Sequence, residues 1–162
     1  MPLTARRVLQ QLVDCGVTHI VWLPDSEAAA MYHAIVATPQ LRLVPVAREG
    51  ETIAIAAGLL VGGARPVVQM QSTGYYESGD SVRGLALDLG IPLLMLIGYR
   101  GYQEAGRPTD SAAMFLEPSL ATWGIPAHLV IRDEQLDRIP VAYQQAQQRG
   151  GPVAVLIGAE YE

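Results

Sequence analysis

Val46-Ala47-Arg48-Glu49-Gly50-Glu51-Thr52-Ile53-Ala54-Ile55-Ala56-Ala57-Gly58-Leu59-Leu60-Val61-Gly62-Gly63 changes character twice. It leaves the apolar run Leu41-Arg42-Leu43-Val44-Pro45-Val46, crosses a charged Arg-Glu-Gly-Glu turn, and continues as a segment made mostly of small and aliphatic residues. A short apolar run bounded by turn residues reads as a buried strand, and the longer Ala-rich segment as a helix. Glu49 then stands at the carboxyl end of a strand and the amino end of a helix, where open α/β sheets bind their ligands.

The same alternation runs outward in both directions. Upstream, Thr4 is a suitable N-cap for a first helix with Val8, Leu9, Leu12 and Val13 on one face and Gly16 as its stop. His19-Ile20-Val21-Trp22-Leu23-Pro24 reads as a buried strand, with Asp25 or Ser26 able to cap a helix over Ala28 to Ala37. Downstream, Val67-Val68-Gln69-Met70-Gln71 forms a third strand, followed by a polar segment from Ser72 to Ser81 and a helix from Val82 to Gly90. Ile91-Pro92-Leu93-Leu94-Met95-Leu96-Ile97 is the most hydrophobic strand and belongs at the sheet centre. Tyr102 to Ser111 reads as a long loop over the sheet edge, a lid or partner contact. A helix around Glu117 to Trp123 leads to the strand Ala127-His128-Leu129-Val130-Ile131. Asp133 is positioned to cap a last helix reaching Gln148, with Pro140 as a kink, before the strand Pro152-Val153-Ala154-Val155-Leu156-Ile157. Six strands alternating with helices predict an α/β fold, a three-layer, doubly wound, mainly parallel six-stranded sheet, with residues 1–162 as one domain.

Composition narrows the chemistry. All 11 basic residues are Arg, so Schiff-base and P-loop lysines are excluded. A net charge of −5 disfavours nucleic-acid and anionic-membrane binding. Cys15 is the single cysteine, which permits no internal disulfide, and its predicted place at a helix end makes it packing rather than nucleophile. No apolar run is long enough to span a bilayer and no leader pattern opens the chain, so a cytoplasmic protein is expected. His19, His33 and His128 have no metal-ligand spacing. Tyr75, Tyr76, Tyr99 and Tyr102 fall on predicted edge segments, where a partner would bury them.

Three polar segments follow strands: Pro24-Asp25-Ser26, Arg48-Glu49-Gly50-Glu51 and Ser72-Thr73-Gly74. In the plainest reading Glu49 and Glu51 stabilise a helix amino end by roughly 0.3–1 kcal/mol each. The helix that follows argues for more, because Ala54, Ala56, Ala57, Gly58, Gly62 and Gly63 leave room for a close neighbour. A carboxylate beside such an interface would be desolvated and its pKa raised. Ser72-Thr73-Gly74 resembles a flavodoxin phosphate loop but follows the third strand rather than the first, and no Gly-x-Gly-x-x-Gly follows any strand.

Gly16-Val17-Thr18-His19-Ile20-Val21-Trp22-Leu23-Pro24-Asp25-Ser26, the Arg48-Glu49-Gly50-Glu51 turn with Ala56-Ala57-Gly58, Gln69-Met70-Gln71-Ser72, and Ile91 to Ile97 with Arg100-Gly101 carry a family resemblance. Over about residues 10 to 130 the chain resembles the pyrimidine-binding domain of thiamine diphosphate enzymes, of the type in sulfopyruvate decarboxylase alpha subunits and the matching half of phosphonopyruvate decarboxylases. The resemblance implies that Glu49 is catalytic, hydrogen-bonding the aminopyrimidine nitrogen of thiamine diphosphate and enabling it to attack a 2-oxo acid. It implies cofactor contacts at Ser72, Thr73 and Gly74 as well as Glu49, and substrate contacts at Asp25, Ser26 and Arg100, with Arg100 facing a sulfonate or phosphonate.

The resemblance also implies a partner. Relatives hold the diphosphate and Mg²⁺ on a second domain bearing Gly-Asp-Gly and a downstream Asn; this sequence has no Gly-Asp-Gly, since Asp80 lies between Gly79 and Ser81. A separate beta subunit is therefore expected to bring the diphosphate-binding domain and the metal, in a hetero-oligomer such as α2β2 or larger, with no metal ligands on this chain. The implied activity is a carboxy-lyase reaction on 3-sulfopyruvate or 3-phosphonopyruvate, giving the aldehyde and CO2. One departure leaves another 2-oxo acid open: relatives carry a short Gly- and Asn-containing turn after the Ser72 position, where this chain has the bulkier, more acidic Thr73-Gly74-Tyr75-Tyr76-Glu77. A flavodoxin-like or regulatory binding module without catalysis is the alternative.

Overall fold

The computed structural model describes residues 3–25, 28–105, 107–108 and 110–162. Strands β1 (His19–Trp22), β2 (Arg42–Pro45), β3 (Pro66–Gln71), β4 (Leu94–Gly98), β5 (Ala127–Val130) and β6 (Val153–Ile157) make one sheet of order β2-β1-β3-β4-β6-β5. Every pairing is parallel. The expected mainly parallel sheet is thus wholly parallel, and β3 and β4 occupy its centre. From β1 the chain moves outward to β2 and returns to β3 on the other side of β1, which makes a topological switch point at the carboxyl ends of these strands.

Alternating side chains divide the core between the two faces. Ile20, Trp22, Val67, Leu94 and Leu96 pack under α1 (Ala5–Asp14), α2 (Ala29–Val36) and α7 (Arg138–Arg149). Val21, Val68, Met70, Met95 and Ile97 pack under α3 (Gly50–Val61), α4 (Ser72–Glu77) and α6 (Ser111–Thr122). A strand covered on both sides needs apolar residues at successive positions, and this explains the continuous runs in the sequence.

Several local expectations are corrected. The polar segment after β3 is helical: α4 is followed by α5 (Gly79–Ser81) and a π-helical turn at Val82–Leu87. Its hydroxyls turn back onto the helix, with Ser78 Oγ donating to Gly74 O at 2.7 Å and Ser81 Oγ to Ser78 O at 2.9 Å. Helix α6 starts well before Glu117, because the Asp110 carboxylate accepts the Ala113 N–H at 3.0 Å and caps it. Tyr75 and Tyr99, expected beneath a partner, are buried by this chain itself and belong to its core.

Asp133 does not cap the last helix. It opens a 3-10 turn at Asp133–Gln135, and α7 begins at Arg138, so Pro140 lies in the first turn, where its missing N–H costs nothing. The Asp133 carboxylate reaches across to the first helix instead, accepting from Thr4 N at 2.9 Å, Thr4 Oγ1 at 2.8 Å and Arg7 Nη1 at 2.8 Å. Thr4 precedes α1 as expected, but its hydroxyl serves Asp133 and makes no cap bond. Burial opposes ionisation of Asp133, yet the Thr4 donors and the Arg7 guanidinium together hold its pKa below the ordinary value.

This tie between the first helix and the 3-10 turn has a measurable stability. Asp133→Ala should lower the unfolding free energy by about 1–3 kcal/mol in urea titrations, the scale of leaving buried donors unpaired. Because the folded pKa is depressed, the wild-type advantage over Asp133→Ala is present above the unfolded aspartate pKa and fades as pH falls through the lower folded value.

Candidate active site

The turn between β2 and α3 uses its charged groups unequally. Glu51 folds back to accept the Ala47 N–H at 3.1 Å. Arg48 donates from Nε to Glu77 Oε1 at 2.8 Å, and its Nη2 bonds the same oxygen. The other Glu77 oxygen accepts the Gly50 N–H. Glu49 uses its backbone carbonyl, which accepts from Thr52 N at 2.9 Å and Thr52 Oγ1 at 2.7 Å. Its half-buried carboxylate makes no cap bond, and among the described residues none donates to it. The turn therefore presents one carboxylate at the sheet's carboxyl edge with its hydrogen-bonding capacity unfilled.

Gly74 shapes the surface on which that carboxylate rests. A Cβ at residue 74 would lie 2.5 Å from Glu49 Cγ and 2.9 Å from Glu49 Oε1, so the Glu49 side chain occupies the space that only glycine leaves. The end of β2 and the end of β3 thus meet through this contact. Ser72, at the start of α4, is fully buried and its hydroxyl finds no partner among the described residues, whereas Thr73 is exposed.

The substrate residues inferred from the sequence gather elsewhere along the same edge. An open cavity of about 310 Å³ is lined by Asp25, Gln69, Gly98, Arg100, Tyr102 and Tyr161, among others. Asp25 also caps the approach to α2, with Oδ1 accepting the Ala28 N–H at 3.0 Å. Arg100 Nε stands 3.7 Å from Asp110 Oδ2. Ser26 lies outside the described residues. Glu49, Ser72, Thr73 and Gly74 do not line this cavity, so the predicted site resolves into a Glu49–Gly74 contact and an Asp25–Arg100 pocket.

Sequence reasoning missed two features. Gln69 is 4% exposed and its Oε1 has no partner among the described residues, although it lines the pocket; an amide inside the apolar β3 run was the available signal. The Glu77 link to the Arg48–Gly50 turn had none, because no periodicity joins residues so distant in sequence. Among the described residues no group of three His, Cys, Asp or Glu side chains could hold a metal ion. His19 and His128 bond to Thr18 and Gln145, each at 2.7 Å. Burial raises the Cys15 thiol pKa, and no described helix is long and apolar enough to cross a membrane.

Helix α3 turns Ala54, Gly58 and Val61 outward, and Val61 is 85% exposed. A Cβ on Gly58 would meet nothing within 4 Å, so no described residue is the close neighbour expected from the sequence. Gly58→Ala should therefore stabilise the isolated chain by up to about 0.8–1 kcal/mol in denaturant titrations, the helix-propensity difference. Gly74→Ala should displace the Glu49 side chain, visible as a chemical-shift change at Glu49 Cγ and Cδ.

The sulfopyruvate decarboxylase subunit alpha of Methanothermobacter thermautotrophicus is 27% identical over 166 residues, covering 98% of this chain and 97% of the relative. Its counterpart in Methanococcus maripaludis is 25% identical over 164 residues, covering 95% of this chain and 93% of the relative. The phosphonopyruvate decarboxylase of Streptomyces viridochromogenes is 28% identical over 90 residues, 56% of this chain and 23% of the relative. A 2-oxoglutarate:ferredoxin oxidoreductase from Magnetococcus marinus shares the fold with a TM-score of 0.74 at 18% identity, over 96% of this chain and 29% of that one. Residues 4–118 match the thiamine pyrophosphate enzyme, N-terminal TPP binding domain family, and the chain belongs to that family.

Proposed function

We propose that this chain is the alpha subunit of a thiamine diphosphate-dependent 2-oxo acid decarboxylase, acting on 3-sulfopyruvate or 3-phosphonopyruvate to release the aldehyde and CO2. The observation that carries the reading is Glu49: a half-buried carboxylate at the sheet's carboxyl edge that no described residue engages. A ring nitrogen that must share a proton needs such a group, and the glycine surface at Gly74 fixes where it stands. Alpha-subunit relatives of matching length support the enzyme class.

When bound, thiamine diphosphate supplies the carbon nucleophile and the electron sink for decarboxylation. The Glu49 carboxyl group hydrogen-bonds the aminopyrimidine nitrogen, and Ser72, Thr73 and Gly74 adjoin it. Arg100 in the pocket attracts the anionic tail of the substrate, and Asp25 lines the same pocket. The diphosphate and Mg²⁺ are held by a beta subunit, which covers the outward face of α3. Closure by that subunit would exclude water and strengthen the Glu49 interaction.

Two measurements on the chain reconstituted with its diphosphate-binding partner test the proposal. Glu49→Gln should reduce kcat by about 10²–10⁴, the usual contribution of a positioned acid–base group; full turnover would overturn the catalytic assignment. Arg100→Met should raise KM about tenfold or more for sulfopyruvate and phosphonopyruvate, as expected for loss of a charge-assisted contact, while changing pyruvate little. Equal effects on all three acids would remove Arg100 from tail recognition.

A further inference from the structure

We propose that Glu77 is a positioning residue for Glu49, holding the two residues that flank it and so fixing where the Glu49 carboxylate stands. The inference rests on the reading of Glu49 as the carboxylate that meets the cofactor. Its basis is geometric. One Glu77 oxygen accepts from Arg48, with the Nε contact at 2.8 Å, and the other accepts the Gly50 N–H. Ser81 Oγ, whose hydroxyl donates to Ser78 O at 2.9 Å, also stands 3.2 Å from the Gly50 carbonyl, so the α4–α5 segment holds the Gly50 N–H and shares a hydroxyl with its carbonyl. Gly50 leaves room for this approach: a Cβ there would lie 2.9 Å from Glu77 Oε2, and the carboxylate would have to shift.

The same short helix carries both contacts. Gly74 and Glu77 are three residues apart in α4 and therefore share a face. Gly74 receives the Glu49 side chain while Glu77 holds the Gly50 N–H on one side of it and the Arg48 guanidinium on the other. Helix α4 thus registers carboxylate and backbone together, independently of the dipole of α3. Global stability is a weak reason for this clamp, because Arg48 is 69% exposed and exposed ion pairs contribute little. The Arg48 guanidinium, the Gly50 backbone, the Glu77 carboxylate and the Ser81 hydroxyl nevertheless converge around a residue whose carboxylate no described residue engages. The Arg48 hydrogen bonds, with help from the Gly50 N–H, also keep the Glu77 pKa below its ordinary value, so the acceptor is charged at neutral pH.

The test compares Glu77→Ala, Glu77→Gln and Gly50→Ala with wild type and with Glu49→Gln. In the chain without cofactor, Glu77→Ala should accelerate Gly50 amide hydrogen exchange about tenfold or more while shifting Tm by no more than about 2 °C. In the reconstituted pair it should weaken thiamine diphosphate binding in equilibrium titration and lower kcat about 10–100-fold with KM for the 2-oxo acid little changed, as for a misplaced catalytic group. Glu77→Gln, which keeps an acceptor oxygen for the Gly50 N–H, should recover part of both losses. Gly50→Ala should reproduce the Glu77→Ala defects by displacing the carboxylate, an independent route to the same result. Wild-type kcat and cofactor affinity in Glu77→Ala, with Glu49→Gln inactive, would overturn the positioning role alone. Full turnover in Glu49→Gln would instead overturn the function on which it rests.

Discussion

Parallel pairing of β1 with both β2 and β3 is the constraint on which the rest depends. His19 of β1 stands opposite Arg42 on one side and Pro66 on the other, so the carboxyl ends of all three strands come out at one level. The turns that follow β2 and β3 lie on opposite sides of β1 and lean together across its end. This brings Glu49 onto Gly74, although neither strand pairs with the other. An antiparallel connection would send one of these turns to the far edge and dismantle the contact.

Glycine at two positions converts that adjacency into close contact. At residue 74 it admits the Glu49 side chain, and at residue 50 it admits the Glu77 carboxylate to the backbone. Neither has the positive φ that would require glycine for conformational reasons. Their role is close approach, and it explains how a turn so rich in charge leaves Glu49 unengaged: Arg48 is directed to Glu77, and Glu51 to the turn's own Ala47 N–H. Electrostatic preorganisation works through such fixed groups, because a carboxylate that need not move does not have to reorganise during reaction.

Legibility in the sequence followed the range of the forces. The six strands could be read because burial on both faces forces continuous apolar runs, as in Leu94 to Ile97. The place of Glu49 was legible from the strand–turn–helix order. The acidic segment after Ser72 stood out from its relatives as a departure, but its meaning did not, because Glu77 acts on Gly50 and that pairing spans helix α3, strand β3 and helix α4. Asp133 shows the same limit: its local context suited a helix cap, while Thr4 and Arg7 from the other end of the chain offered three donors. Polar groups with strong distant partners override local capping preference.

By itself the sequence determined the strand count, the apolar pattern that buries the sheet on both faces, and the position of Glu49 at a strand end. These depend on periodicity and turn chemistry, which act between near neighbours. Only the tertiary structure decided that the sheet is parallel throughout, that Gly74 receives Glu49, that Asp25 and Arg100 line a separate pocket, and that Glu77 grips the turn. Those relations are distances between segments far apart in the chain, and such distances exist only once the strands have been aligned.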